Sequence, residues 1–249
     1  MDESKRVAIV TGGGSGLGRS ICEHLARDHR VGVLDLDGDA AEQVAGELRS
    51  AGAEAVSAAV DVSDQSAIAD SFAKVRAELG PLGVLVTSAG IGGFTPFEKI
   101  TLAEWERYLA VNLTGTFLSV QAALPDMVER RWGRIVTISS AAGQVGALRQ
   151  GHYSASKGGV IAMTKTVALE YARKGITANT LPPFTADTPM LRAAQEAKHV
   201  PGAEMMSRII PAGRVGTGDE IAAVCAFLCS DAASYITGQV VAVNGGAVV

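Results

Sequence analysis

The chain is poor in cysteine, has no block of like charge and lacks any long apolar run. Its 249 residues hold three cysteines, Cys22, Cys225 and Cys229. So odd and sparse a set does not make a disulfide scaffold, and a reducing cytoplasm is the expected setting. Cys225 and Cys229 lie four apart on an apolar stretch and read as buried thiols. No Cys/His cluster has ligand spacing, and His24, His29 and His199 stand apart, so no metal is expected. Twenty-two basic against 26 acidic residues leave a net charge of −4. That balance argues against nucleic acid or a membrane surface as a partner. No apolar run approaches the roughly 18 residues of a membrane span. Residues 1–6 are polar and strand-like residues begin at Val7, so no signal peptide is expected. Repeats, low-complexity tracts and linkers are also missing. What is abundant is glycine: 29 residues, against roughly 7% of an ordinary chain.

Hydrophobic residues make up 47% of the chain, an ordinary globular share. Short apolar runs at 7–10, 31–36, 55–60, 84–86, 135–138, 176–180 and 239–243 read as strands. Most are continuous rather than alternating, as parallel strands covered on both faces are. Between them, 17–27, 40–50, 65–79, 102–130, 154–173 and 219–228 read as helices. Asp64 precedes the third helix, Thr101 and Glu104 make a capping-box pattern before the fourth, and Gly175 follows the fifth. This alternation predicts one α/β domain over 1–249: a doubly wound, seven-stranded parallel sheet with helices on both faces. Residues 182–211 are too long for an ordinary connection and are either a lid or a disordered loop. Their apolar content favours a lid, at about 184–210.

The first strand runs into Thr11-Gly12-Gly13-Gly14-Ser15-Gly16-Leu17-Gly18 and then a helix. Such a turn lets backbone N–H groups and a helix N-terminus face a pyrophosphate. Alone it is a weak signal, since a tight βα turn also uses glycine. The second signal is Asp35, ending the next strand at the expected distance of about 20 residues, where a carboxylate accepts from ribose hydroxyls. Its structural alternative is a helix-capping carboxylate. A carboxylate there repels a 2′-phosphate, and neither Ser15 nor Leu36 is basic; Arg19 is the one nearby candidate cation. NAD is therefore expected rather than NADP.

Tyr153 and Lys157 are four apart, on one face of a helix. A free phenol is a poor base at neutral pH, and an ammonium favours its phenolate. A unit charge ~4 Å away is worth up to about 4 kcal/mol at an effective dielectric of about 20, roughly three pKa units. That makes a tyrosine a competent acid/base near neutrality. His152 adjoins Tyr153, but successive helix residues do not share a face, so it reads as pocket wall or surface.

Taken together these residues resemble the short-chain dehydrogenase/reductase family, over nearly the whole chain. Thr11, Gly12, Gly16 and Gly18 match its Thr-Gly-x-x-x-Gly-x-Gly pattern, and Tyr153 and Lys157 its Tyr-x-x-x-Lys. Ser140 matches its serine, with Ser139 as the alternative; Asn112 matches its asparagine, or else caps or kinks a helix. The resemblance implies a single Rossmann domain in which Ser140 holds the substrate oxygen and Tyr153 takes the hydroxyl proton. It implies that Lys157 binds the nicotinamide ribose and lowers the Tyr153 pKa, and that Asn112 holds a relay water. It assigns Asp61 and Val62 to the adenine, Ala89 and Gly90 to close cofactor approach, and Pro183 and Thr188 to the nicotinamide side. It also implies a homotetramer or homodimer joined through helices at 105–130 and 154–173, with the apolar 239–249 at a contact.

Two departures stand out. Thr87-Ser88-Ala89-Gly90 replaces the family's Asn-Asn-Ala-Gly, which puts the bracing role of Ser88 in question. Phe184 replaces its glycine after Pro183, and either narrows the site or points into the lid. The expected activity is hydride transfer between NAD and a secondary alcohol or its ketone. One alternative is a 3-oxoacyl-ACP or acyl-CoA reductase using NAD(P)H, with a hydroxyacyl thioester as product; Ser15 and Asp35 count against it. The other is an inactive, NAD-sensing regulatory protein, against which the full Ser140, Tyr153 and Lys157 set argues.

Overall fold

The computed structural model describes residues 5–249, so most of the polar stretch at 1–6 lies outside the described residues. Strand β1 (Arg6–Thr11) leads through the glycine turn into α1 (Gly16–Leu25), followed by β2 (His29–Asp35), α2 (Gly38–Ser50), β3 (Ala55–Ala59) and α3 (Gln65–Leu79). The second half runs β4 (Leu82–Thr87), α4 (Leu102–Leu109), α5 (Gly115–Arg130), β5 (Gly133–Ile138), α6 (Ala141–Val145), α7 (Gly151–Tyr171) and β6 (Ile176–Leu181). Helices α8 (Pro189–Glu196), α9 (Ala203–Ile209) and α10 (Gly218–Leu228) complete it. The strands are parallel in the order β3-β2-β1-β4-β5-β6. The order reverses between β1 and β4, which opens a crevice at their carboxyl ends.

Alternation along each strand sends side chains to two cores. Ala8 and Val10 of β1 join Val33, Val86 and Val136 in the core with Ile21 of α1 and Ile221 of α10. Val7 and Ile9 face the other way, with Leu34, Leu85 and Ile135, onto Phe72 of α3 and Met127 of α5. Both faces being covered is why these strands read as continuous apolar runs. Each Val, Leu, Ile, Phe or Met among these contributes about 1.5–3 kcal/mol by leaving water.

Six of the seven expected strands form the sheet. The seventh, 239–243, is a single bridge of Val240 to Thr180. Side chains replace part of its ladder: the Thr237 hydroxyl accepts from the Ala178 N–H, and Asn179 Oδ1 accepts from the Gln239 N–H. The long helix expected at 102–130 is also interrupted, by a turn of π-helix over Ala110–Thr114. Its start is capped by Thr101, which accepts from the Glu104 N–H, but the reciprocal half of the capping box is missing. The Glu104 carboxylate instead accepts from Thr95 and pairs with His152. Asp64 caps α3 as expected, accepting from Ser66 and Ala67. Gly175 has φ +77, and a Cβ there would lie 2.1 Å from the Arg131 carbonyl.

Candidate active site

The crevice is built first by backbone. Gly12 has φ +70, and a Cβ on it would stand 2.6 Å from the Ala89 N. A Cβ on Gly18 would stand 1.9 Å from the Gly12 carbonyl oxygen. Gly12 lets the turn lie against Ser88 and Ala89 just after β4, and Gly18 lets α1 close onto Gly12 and Gly13. Ser15 sits at the N-cap of α1 but places no side-chain oxygen on it, and the first turn holds no acid. The amino end of α1 therefore offers its N–H groups and positive dipole end to an anion. Leu17 packs into the core beneath it. Gly16 faces Thr188 and Pro189 across the crevice.

Asp35 ends β2 beside this turn. Its Oδ2 accepts from the Gly14 N–H at 2.9 Å and its Oδ1 from the Asp37 N–H at 3.1 Å. The cap of α2 is Asp37, not Asp35. Leu36 is exposed. Arg19 is paired with Glu23 at 2.9 Å and Glu47 at 2.6 Å. Asp61 accepts from both the N–H and the hydroxyl of Ser63, while buried Val62 packs against Gly115.

The second half of the crevice carries the polar side chains. Asn112 is fully buried within the π-turn. Its Oδ1 accepts from the Ile91 N–H at 2.8 Å, and its Nδ2 donates to the Ile91 carbonyl and to Ser156 Oγ. It clamps the loop after β4 to α7. A Cβ on Gly90 would lie 3.0 Å from Asn112 Oδ1 and 3.2 Å from Lys157 Nζ, so these groups converge on a bare backbone. Ser139 donates to the Lys157 carbonyl at 2.9 Å and is thereby committed to holding α7. Ser140, after β5, accepts from the Ala142 N–H, and its hydroxyl stands close enough to the Tyr153 phenol to favour the phenolate.

Lys157 Nζ donates to the Ile138 carbonyl at 2.9 Å and lies 6.0 Å from the centre of the Tyr153 ring. Burial lowers the Lys157 pKa from 10.5 to about 8. Burial raises that of Tyr153 above 10, against the opposing hydrogen bond from Ser140. Ser88 donates its N–H to the Thr11 carbonyl, whereas the Thr87 hydroxyl is buried without a partner.

Pro183 offers its carbonyl to the Ala141 N–H, and Phe184 beside it is half-exposed. Thr188 caps α8 by accepting from the Leu191 N–H. Residues 184–210 contain α8 and α9 and lie against the loop after β4: Met190 approaches Gly92, and the His199 and Phe94 rings are 5.0 Å apart. On the other flank the exposed stretch 144–149 is tied to the same loop, the Thr95 N–H donating to the Arg149 carbonyl at 2.7 Å.

Glu104 was read only as part of a helix cap and Tyr108 not at all, and His152, read as pocket wall or surface, does not lie at the surface. His152 is fully buried, stacked on Tyr108 with centroids 3.8 Å apart and bonded to Glu104 at 3.1 Å. The available signal was the four-residue spacing of Glu104 and Tyr108 on one face of α4. Among the described residues no group of three His, Cys, Asp or Glu is placed to hold a metal. Nor is any helix among them long and apolar enough to cross a membrane.

Known proteins resemble this chain throughout. The family model described as short chain dehydrogenase matches residues 6–199. The 3-oxoacyl-[acyl-carrier-protein] reductase FabG of Aquifex aeolicus is 38% identical, over 97% of this chain and 96% of its own. An acetoacetyl-CoA reductase of Shinella zoogloeoides is 41% identical, over 97% and 98%. The crystal structure of levodione reductase superposes with a TM-score of 0.92 at 33% identity, covering 97% of this chain and 96% of that one.

Proposed function

The chain belongs to the short chain dehydrogenase family, and from that premise we propose that it interconverts a secondary alcohol and its ketone with NAD. The observation that carries the reading is the approach of Asn112 and Lys157 to Gly90, with the Tyr153 ring 6.0 Å from the Lys157 ammonium and Ser140 beside Tyr153. The bare turn, the amino end of α1 and the Asp35 carboxylate fit a dinucleotide. In this reading Gly12, Ser15, Gly16, Leu17 and Gly18 hold the pyrophosphate, and Asp35 and Leu36 the adenosine ribose. Asp61 and Val62 flank the adenine; Ala89, Gly90, Pro183 and Thr188 line the nicotinamide side. When bound, the nicotinamide supplies a two-electron hydride acceptor or donor. Asp35 favours NAD, and Arg19, the nearby cation, is already held by Glu23 and Glu47.

Ser140 orients the substrate oxygen, and Tyr153 Oη takes or gives its proton. Lys157 stabilises the phenolate with its ammonium, and Asn112 keeps the loop and α7 in register for proton exit. Residues 184–210 act as the lid, with 144–149 as the opposite wall. Exposed Phe117 on α5 and Leu169 on α7 support a homodimer or homotetramer. Light scattering checks that, a monomeric mass at micromolar concentration rejecting it.

Absorbance at 340 nm with a panel of secondary alcohols and ketones tests the activity, and comparing NAD with NADP tests the cofactor. Turnover with NAD is expected. Tight NADH binding with no turnover on any member would replace this reading with a cofactor sensor. A second reading, reduction of a 3-oxoacyl thioester, is favoured by the two reductases that match nearly the whole chain. Acetoacetyl-CoA in the same panel separates the two.

A further inference from the structure

His152 is a polar ring with no exposed surface, and a buried polar ring is costly unless both nitrogens are satisfied. Its Nδ1 lies 2.7 Å from the Tyr153 backbone nitrogen, and its Nε2 lies 3.1 Å from Glu104 Oε1. A backbone N–H can only donate, so Nδ1 is the acceptor and the ring proton sits on Nε2, donated to Glu104. The same Oε1 accepts from the Thr95 hydroxyl at 2.7 Å, and the Thr95 N–H donates to the Arg149 carbonyl at 2.7 Å. Tyr108 stacks on the imidazole at an interplanar angle of 7° and blocks its rotation. One hydrogen-bonded chain thus joins the loop after β4, α4 and the first turn of α7.

That first turn needs such help. The Tyr153 N–H is among the opening amides of α7, which have no intrahelical acceptor, and Gln150 supplies no side-chain cap. We propose that Glu104 and His152 are a positioning pair for Tyr153, setting its backbone from α4 so that the phenol meets Ser140 and the substrate oxygen. The proposal rests on reading Tyr153 as the acid/base. It assigns His152 neither proton transfer nor contact with substrate. Its weight lies in geometry: misplacing a reacting group by about 1 Å costs on the order of 100-fold in rate.

Two substitutions at one position test it. His152→Phe keeps the ring volume and the stack on Tyr108 but offers the Tyr153 amide no acceptor. His152→Asn loses the ring yet puts an amide oxygen near the Nδ1 position. Positioning predicts that Asn keeps kcat within about fivefold while Phe loses about 30- to 100-fold, NADH affinity staying within about twofold in both. A packing role predicts the opposite order, and that order, or full activity in both, overturns the proposal. Amide hydrogen exchange at Tyr153, read by NMR on the NADH complex, needs no substrate. Protection in the parent and in His152→Asn, and fast exchange in His152→Phe, support the pair even if no alcohol or ketone is turned over; equal protection in all three sinks it. Should His152→Phe not fold, Glu104→Leu, which leaves the ring in place, is expected to lower kcat about tenfold. Unchanged kcat there overturns the pair as well.

Discussion

The Lys157 ammonium stands 6.0 Å from the centre of the Tyr153 ring and gives a hydrogen bond to the Ile138 carbonyl 2.9 Å away. Desolvation lowers the lysine pKa to about 8 and raises that of the tyrosine. The ammonium has three N–H donors, so the bond to Ile138 leaves two for other partners in the crevice.

Lys157→Met should stabilise the protein while abolishing turnover. The lysine binds fewer protons when folded than when unfolded between pH about 8 and 10.5, so parental stability rises with pH across that window. Below it the folded state carries a desolvated ammonium. Removing that charge is worth up to about 3 kcal/mol at pH 7, less about 1 kcal/mol for the lost bond to Ile138. At this chain length each 1 kcal/mol shifts Tm by about 2–4 °C. Calorimetry should show a gain at pH 7 that shrinks by pH 10; no gain at pH 7 contradicts the burial argument.

The fold was legible because covered parallel strands read as continuous apolar runs, and their real ends differ by one or two residues where polar Arg6, His29 and Thr87 continue the ladder. The seventh run failed because pairing depends on Thr237 and Asn179, whose side chains took over ladder bonds from a distance no local pattern shows. At Asn112 the sequence offered a capped or kinked helix as one alternative, but not a π-turn whose asparagine bonds Ile91, 21 residues away. Glu104 gave a correct cap position and a wrong carboxylate, since His152, 48 residues on, competed for it. Candidate residues announced themselves by spacing; what positions them did not.

Asp35→Asn should relax the cofactor preference. Asparagine keeps one acceptor for the Gly14 or Asp37 N–H and loses the charge that repels a 2′-phosphate. Like-charge juxtaposition costs several kcal/mol. Steady-state kinetics should show the NADP to NAD ratio of kcat/KM rising at least about tenfold. An unchanged ratio removes Asp35 from the ribose site.

Two glycines with different surroundings should respond differently to alanine. At Gly18 the new Cβ falls 1.9 Å from the Gly12 carbonyl oxygen, and backbone on both sides leaves nothing to give. Gly18→Ala should abolish NADH binding or folding. At Gly52, φ is +90 but nothing lies within 4 Å. Gly52→Ala should cost only about 1–2 kcal/mol and leave the NADH dissociation constant unchanged. Fluorescence titration with thermal melts distinguishes them.

Tyr153→Phe isolates the phenol oxygen from everything else the residue does. The ring, its place in α7 and the backbone N–H to His152 all remain, so the fold and the crevice should keep their shape. Lost with the oxygen are the hydrogen bond with Ser140 and the proton carrier. General acid–base catalysis is worth roughly 100- to 10,000-fold, so kcat should fall below about 1% while NADH binds within about twofold of parent. Because desolvation raises the Tyr153 pKa, the Phe variant should also become less sensitive to alkaline unfolding: the parent folded state keeps a proton that the unfolded state releases above pH 10. If instead more than a few per cent of kcat survives with the fold intact, proton transfer belongs to another group, and Ser140 is the next to test.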